Sequence, residues 1–327
     1  MIIFTVLLTT LIIIVVACLC LNIFVKFQTA WCRSNVYLGG KTAIVTGGSQ
    51  GIGYHIVLNL LSRGCKVIVA DRLVDDEIKQ RIIKITKNRE VYFEYVDLAS
   101  FKSVRELVER IKKKEDKIDI LINNAGIAMW FGPLSEDALS VVMQVNYYSP
   151  FLITHLLKDL LKKSPSARIM FTSSGLSFLA QFSETRFNSD ETNDLEYNSS
   201  KFCLIAAADS FAKKLKKYNI TSNSFHPGLV RTDMSRTLMD RQMSWPQFIL
   251  GFFVTALTMV VGKTAEEGAQ TAIHLACANE VEGVTGKFFA ETVPRFKPGL
   301  AHDKSLCNAI WLHSERVVGL KDEEKLL

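Results

Sequence analysis

The sequence has no CxxC pair, no clustered histidines, no internal repeat and no low-complexity linker, and its first charged side chain is Lys26. Each absence excludes something. Seven cysteines, odd in number and without metal-type spacing, argue against a disulfide framework and a structural zinc site, and favour a reducing compartment. Six histidines scattered singly give no ligand set, so no metal is expected. The formal charge of +6 comes without an aromatic-interleaved basic stripe, so nucleic acid is not an expected partner. Its densest basic runs, Lys112–Lys114 and Lys213–Lys217, alternate with apolar residues at helical spacing and read as solvated helix faces.

The missing charge at the N-terminus leaves Ile2–Val25 as an uncharged, strongly apolar run. At about 1.5 Å per residue such a helix exceeds the roughly 30 Å hydrocarbon core of a bilayer. A cleaved signal peptide needs a basic leader and a shorter apolar stretch, so a retained transmembrane anchor is expected over residues 1–25. Residues 26–40 form a linker, and 41–327 a single catalytic domain. Lys26, Arg33 and Lys41 follow the run and place the domain on the cytosolic side. Two glycosylation sequons, at Asn198 and Asn219, offer a check on that orientation.

From Lys41 onward, β-branched runs alternate with amphipathic stretches, the pattern of a Rossmann-type, doubly wound parallel α/β sheet. Strands are expected at Lys41–Val45, Lys66–Ala70, Val91–Val96, Ile118–Ile122, Ala167–Thr172 and Thr221–Phe225. The first ends in Thr46-Gly47-Gly48-Ser49-Gln50-Gly51-Ile52-Gly53, followed at once by a helix. Gly47 permits the tight turn, Gly51 lets backbone amides approach a pyrophosphate, and Gly53 allows close packing of the helix whose N-terminus favours phosphate. A glycine-rich turn alone is a weak signal. Asp71 closes the second strand near the distance at which a carboxylate meets an adenosine ribose and repels a 2′-phosphate. Arg72 beside it could instead welcome that phosphate. Gln50 stands where a basic residue often assists NADP, so NAD is favoured over NADP.

In order, these and the following motifs resemble the classical short-chain dehydrogenase/reductase family. Asp97-Leu98 resembles its adenine-contacting pair, and Asn123-Asn124-Ala125-Gly126 its NNAG signature. Asn146 lies in the next helix, Ser174 follows the fifth strand, and Tyr197-Asn198-Ser199-Ser200-Lys201 is its YxxxK motif. His226-Pro227-Gly228-Leu229-Val230-Arg231-Thr232 is similar to the segment that closes over the nicotinamide. Segments at Lys263–Gln270, Gly286–Phe289 and Trp311–Leu320 are most similar to the retinol-dehydrogenase-like branch, although many of its retinal reductases have a neutral residue where Asp71 stands.

The resemblance implies a catalytic tetrad of Asn146, Ser174, Tyr197 and Lys201. It also implies a dinucleotide site built from Gly47, Ser49, Gln50, Gly51, Ile52, Gly53, Asp71, Arg72, Asp97, Leu98, Asn124, Ala125 and Gly126, together with Tyr197, Lys201, Pro227, Gly228, Val230 and Thr232. A free tyrosine is too weak a base at neutral pH, and a lysine four residues on shares its helix face, so the ammonium is expected to favour the phenolate. Tyr and Lys so spaced occur on many surface helices; the ordered set is what points to hydride transfer. Apolar Phe248–Val261 reads as a core helix or a greasy lid, and polar Gln181–Glu196 as a flap or a surface loop. A lipophilic alcohol or carbonyl of retinoid, steroid, isoprenoid or sphingoid type is the expected substrate, in the endoplasmic reticulum membrane, with a homodimer as a further expectation. An NADPH-dependent biosynthetic ketone reductase and a non-catalytic dinucleotide-binding membrane module stay open.

Overall fold

The computed structural model describes residues 2–128, 132–182, 196–231, 255 and 258–326; within the first helix it describes the side chains of residues 9 and 13 and those from 16 onward. Helix α1 (Ile2–Gln28) is followed by an extended segment that leads into the domain. The domain then alternates β1 (Thr42–Thr46), α2 (Gly51–Ser62), β2 (Lys66–Asp71), α3 (Asp76–Thr86), β3 (Val91–Tyr95), α4 (Phe101–Lys114) and β4 (Ile120–Asn123). After β4 come α5 (Val141–Met143), a π turn (Gln144–Tyr148), α6 (Ser149–Leu156), α7 (Lys158–Lys162), β5 (Ala167–Thr172), α8 (Glu196–Leu215) and β6 (Ile220–His226). The chain closes with α9 (Ala265–Cys277), β7 (Phe288–Ala290), β8 (Val293–Arg295) and α10 (Lys304–Val317).

The strands form one sheet in the order β3-β2-β1-β4-β5-β6-β7-β8, parallel except for β8. All residues of β1 and β4 are buried. That is why their sequences are continuous apolar runs: both faces of a parallel sheet are covered by helices. Ile56, Val57 and Leu60 of α2, Ile82 of α3 and Ala272 and Ile273 of α9 fill one face. Val104 and Leu107 of α4, Phe151 of α6, Phe202 and Phe211 of α8 and Trp311 of α10 fill the other. Strand order reverses between β1 and β4, which opens a crevice at their carboxyl ends, the place where this architecture receives ligands.

The six expected strands are present within two residues at either end, whereas β7 and β8 were not foreseen. The segment before the domain is tied to it by side chains. Asn22 Nδ2 donates to the Val260 carbonyl (2.6 Å), Lys26 pairs with Glu267, and the Ala30 N–H donates to Glu291 (3.0 Å). Among the described residues no helix is long and apolar enough to cross a membrane. The structure therefore does not itself bear out the expected spanning anchor, and most side chains in the first half of α1 lie outside the description. Of the two sequons, Asn198 is buried in the first turn of α8, while Asn219 is exposed in the turn before β6.

Candidate active site

The glycine turn after β1 is built around contacts that leave no room for a side chain. Gly47 has φ +66°, and a Cβ added to it would lie 2.9 Å from the Ala125 Cα. A Cβ on Gly53 would lie 2.0 Å from the Gly47 carbonyl oxygen and 2.7 Å from Asn124 Nδ2. Gly53 is therefore required by the turn folding back on the first helical residues, more than by the helix-to-sheet packing expected for it. Asn124 clamps this turn: its Nδ2 donates to the Thr46 carbonyl (3.1 Å) and the Gly47 carbonyl (3.3 Å). The Thr46 hydroxyl accepts the backbone N–H groups of Asn124 (2.9 Å) and Ala125 (3.1 Å). The turn after β1 and the turn after β4 are thus one unit across the crevice.

The remaining expected dinucleotide residues ring that unit at the ends of neighbouring strands. Asp71 accepts the Ser49 N–H (3.1 Å) and the Leu73 N–H (3.3 Å), so its carboxylate sits against the glycine turn. Gln50 and Arg72 are exposed, and Ile52 is half-buried against Gly268. Asp97 caps the turn after β3 by accepting the Ala99 N–H (2.9 Å), and the Leu98 carbonyl accepts the Ser149 hydroxyl (2.6 Å). Pro227 and Gly228 (φ +92°) follow β6, and Val230 pairs with Lys263 in a parallel bridge. Thr232 lies outside the described residues, as do 183–195 of the expected flap and most of Phe248–Val261.

The four expected catalytic side chains converge beside this crevice. The π turn widens the helix at Asn146, a distortion that often marks functional positions. It aims the Asn146 amide at the strand end: Oδ1 accepts the Ile127 N–H (2.8 Å), while Nδ2 donates to the Ile127 carbonyl (2.9 Å) and the Ser200 hydroxyl (3.1 Å). Lys201 Nζ donates to the Thr172 carbonyl (3.0 Å) and lies 5.5 Å from the centre of the Tyr197 ring. A Cβ on Gly126 would be 3.1 Å from both Lys201 Nζ and Asn146 Oδ1, so the lysine and the asparagine flank the NNAG turn. Ser174 leads the turn after β5, and its side chain acts on the Tyr197 phenol to lower its pKa.

Burial sets the electrostatics. Lys201 is fully buried, without a carboxylate beside it among the described residues, and this lowers its pKa to about 8. Burial raises the Tyr197 phenol, and the Ser174 hydrogen bond pulls it partly back. In this structure burial dominates, and the expected net drop of the phenol gives way to a rise.

Three supporting groups were not singled out from the sequence. The Ser173 hydroxyl donates to the Lys201 carbonyl (2.7 Å), and the Thr172 carbonyl holds the ammonium. His226 Nδ1 accepts the Gly175 N–H (3.1 Å) and so ties the turn of Ser174 to the segment after β6; burial lowers its pKa to about 4, which keeps it a neutral acceptor. Their signal was present only as proximity to motif residues.

A family model described as short chain dehydrogenase matches residues 41–243. The chain belongs to the short-chain dehydrogenase family. Within it, the chain falls in the retinol-dehydrogenase-like branch. It is 34% identical over 295 residues to retinol dehydrogenase 13 of Mus musculus, covering 88% of this chain and 87% of that one. It is 31% identical over 301 residues to retinol dehydrogenase 12 of Homo sapiens, covering 91% and 92%. Among solved structures, a short-chain type dehydrogenase/reductase from Mycobacterium marinum superposes with TM-score 0.59 at 24% identity, over 77% of this chain and 94% of the other. An uncharacterized protein from Mycobacterium paratuberculosis superposes with TM-score 0.67 at 20% identity, over 90% and 99%. As a short-chain dehydrogenase this protein is an NAD(P)-dependent oxidoreductase of alcohols and carbonyls. Its glycine turn fits that dinucleotide: glycines at 47 and 53 let the turn pack tightly at the N-terminus of α2, where phosphate is favoured.

Proposed function

We propose that this short-chain dehydrogenase is a membrane-anchored enzyme that interconverts a lipophilic alcohol and its carbonyl, with NAD preferred over NADP. The observation that carries the reading is the convergence of Tyr197, Lys201, Asn146 and Ser174 beside the Gly47–Gly53 turn. The bound dinucleotide supplies the nicotinamide carbon that accepts or returns a hydride. Gly47, Ser49, Gly51, Ile52 and Gly53 would hold its phosphates, Asp71 would meet the ribose, and Asp97 and Leu98 would border the adenine. Asn124, Ala125, Gly126, Pro227, Gly228 and Val230 would line the nicotinamide side.

In this reading the Ser174 hydroxyl holds the substrate oxygen, and Tyr197 gives or takes its proton. Lys201, charged below about pH 8, stabilises the phenolate at the moment it forms and reaches toward the nicotinamide ribose. Asn146 orders the proton path to Lys201 from its anchor on Ile127.

The substrate class rests on two features. Leu176, Phe178 and Leu179, on the turn directly after Ser174, are each about half exposed and offer an apolar wall beside the reacting oxygen. Relatives across most of the chain are named retinol dehydrogenases, so retinoids head the list ahead of steroids, isoprenoid alcohols and sphingoid ketones. The anchor reading rests on α1, a helix of 27 residues whose charge is confined to Lys26. Its side chains Ile13, Val16, Leu19, Ile23 and Phe24 are exposed, an apolar surface that a bilayer would cover. A membrane of the endoplasmic reticulum, with residues 41–327 in the cytosol, is the proposed location.

The cofactor preference rests on the Asp71 carboxylate, held at the glycine turn where a 2′-phosphate would be repelled. Exposed Arg72 is the one feature favouring an NADPH-dependent reductase. The deciding experiment gives the full-length protein, in detergent or membranes, a panel of retinol, steroid alcohols, isoprenoid alcohols and sugar alcohols with NAD and with NADP. NAD-dependent oxidation of a lipophilic member supports the reading; turnover confined to sugar alcohols, or none with either cofactor, contradicts it.

A further inference from the structure

The segment between α1 and the domain brings a cysteine against a second one that is remote in sequence. Cys32 Sγ lies 3.8 Å from Cys277 Sγ, and the two are separated by 245 positions. The approach is held in place on both sides. The Cys32 N–H donates to Gln270 Oε1 (3.1 Å), and Gln270 is itself bonded to the Glu266 carbonyl (3.0 Å), one turn back on α9. Two residues earlier, the Ala30 N–H is fixed on Glu291 (3.0 Å), and four residues later the Val36 carbonyl accepts Arg63 Nη1 (3.2 Å). Cys277 is the last residue of α9 and is buried, whereas Cys32 is half-buried and reachable from solvent.

We propose that Cys32 and Cys277 are a redox-active thiol pair that a hydroperoxide converts to a disulfide, a modification site that closes the segment after α1 onto α9. The chemistry divides unequally between the two sulfurs. Cys32 is the sulfur reachable from solvent, and hydrogen bonding with Cys277, the His274 side chain and a backbone group of Ser34, together with the Arg63 charge, lowers its pKa, while the buried Cys277 thiol is pushed up. Cys32 is therefore the attacking sulfur and Cys277 the resolving one. The Cys32 thiolate attacks one peroxide oxygen, the O–O bond breaks, and Cys32 becomes a sulfenic acid while the expelled hydroxide takes up the proton that the Cys32 thiol had released and leaves as water. The Cys277 sulfur then attacks the Cys32 sulfur, the S–O bond breaks, the S–S bond forms, and a second water departs carrying the Cys277 proton. Two thiols are oxidised and one hydrogen peroxide is reduced to two waters. A thiol reductant reverses the step by exchange.

The place in the fold gives the bond its meaning. Helix α9 packs on α2, whose first residues carry the glycine turn, and a Cβ on Gly268 of α9 would meet Val230 Cγ2 at 2.7 Å. A bond at the end of α9 thus ties the segment leaving α1 to the helix that braces both sides of the dinucleotide crevice.

The test uses full-length protein exposed to hydrogen peroxide, alkylated, and digested without reduction for mass spectrometry. A peptide joining Cys32 to Cys277, lighter by two hydrogens than its two halves and separated again by dithiothreitol, is the expected product, with alkylation of both cysteines lost together while Cys307 stays alkylated. Cys277→Ala should leave Cys32 as a sulfenic acid that dimedone traps. Cys32→Ser, which touches a half-buried position and serves if the other variant does not fold, should leave Cys277 reduced and abolish the joined peptide. Cys32 that stays alkylatable after peroxide, that passes to the sulfinic acid in the wild-type chain, or that joins another cysteine would overturn the proposal. The readout is a mass, so it stands or falls separately from any measurement of alcohol oxidation.

Discussion

At the residue scale the site is defined by a buried amine next to a buried phenol. The amine stays a strained tenant of the core. Lys201 falls from 10.5 to about 8 because burial penalises its charge, so the unfolded chain binds the proton more tightly than the folded one. Across the window from about 8 to 10.5 stability therefore rises with pH, and below it the full penalty is present. Lys201→Met should abolish turnover yet stabilise the fold by up to about 3 kcal/mol at pH 7. Thermal melts of both proteins should show that advantage at pH 7 and its loss above about pH 10.5; a melting point lowered at pH 7 would show that the ammonium is instead well compensated. The raised phenol has its own signature. Oxidation, which needs the phenolate, should climb as pH rises above neutral, while carbonyl reduction, which needs the phenol, should fall, and steady-state rates in both directions measure it.

Elements decide where those residues sit. The Gly47–Gly53 turn tolerates no Cβ at position 53, because the obstacle 2.0 Å away is a backbone oxygen with nowhere to go. Gly53→Ala should weaken NADH binding at least tenfold, about 1.4 kcal/mol or more, as read by titration of cofactor fluorescence. Gly299→Ala, where nothing lies within 4 Å, is the control that should bind as before. Helix α9 starts with a capping box in which Thr264 and Glu267 satisfy each other's backbone N–H groups. Thr264→Ala should lower stability by about 1 kcal/mol, and denaturant unfolding reads it. This scale also shows how far the sequence could be read. Strands β1, β2 and β4 were legible since Ala43–Val45, Val67–Ala70 and Ile120–Ile122 are buried on both sides and so are written as apolar runs. Strands β7 and β8 were not: each has three residues, and all of β8 is exposed, so neither carries a periodic pattern. The π turn at Asn146 leaves no mark in composition, and the burial that raises Tyr197 is set by the folded surroundings rather than by its local sequence. Motif order thus revealed which residues meet, while the balance of charge and burial between them required the fold.

At the scale of the whole molecule, orientation toward the membrane is testable through one side chain. Asn219 is exposed and its Nδ2 donates to the Pro165 carbonyl (2.7 Å), so a glycosylating enzyme in the lumen would meet an open sequon, whereas Asn198 is closed to it by burial. With the domain in the cytosol, the full-length protein made in glycosylating cells should show no glycosidase-sensitive mass; a shift that disappears in Asn219→Gln would reverse the orientation. In the proposed reading the sheet, the glycine turn and the tetrad would act together to move a hydride and a proton. The most direct measurement is turnover and NADH affinity of Tyr197→Phe in the full-length protein. The account predicts alcohol oxidation reduced by at least about 10³-fold with cofactor binding unchanged, since one hydroxyl is deleted. Wild-type turnover in that variant would contradict the assignment of the proton to Tyr197 and with it the reading of the site.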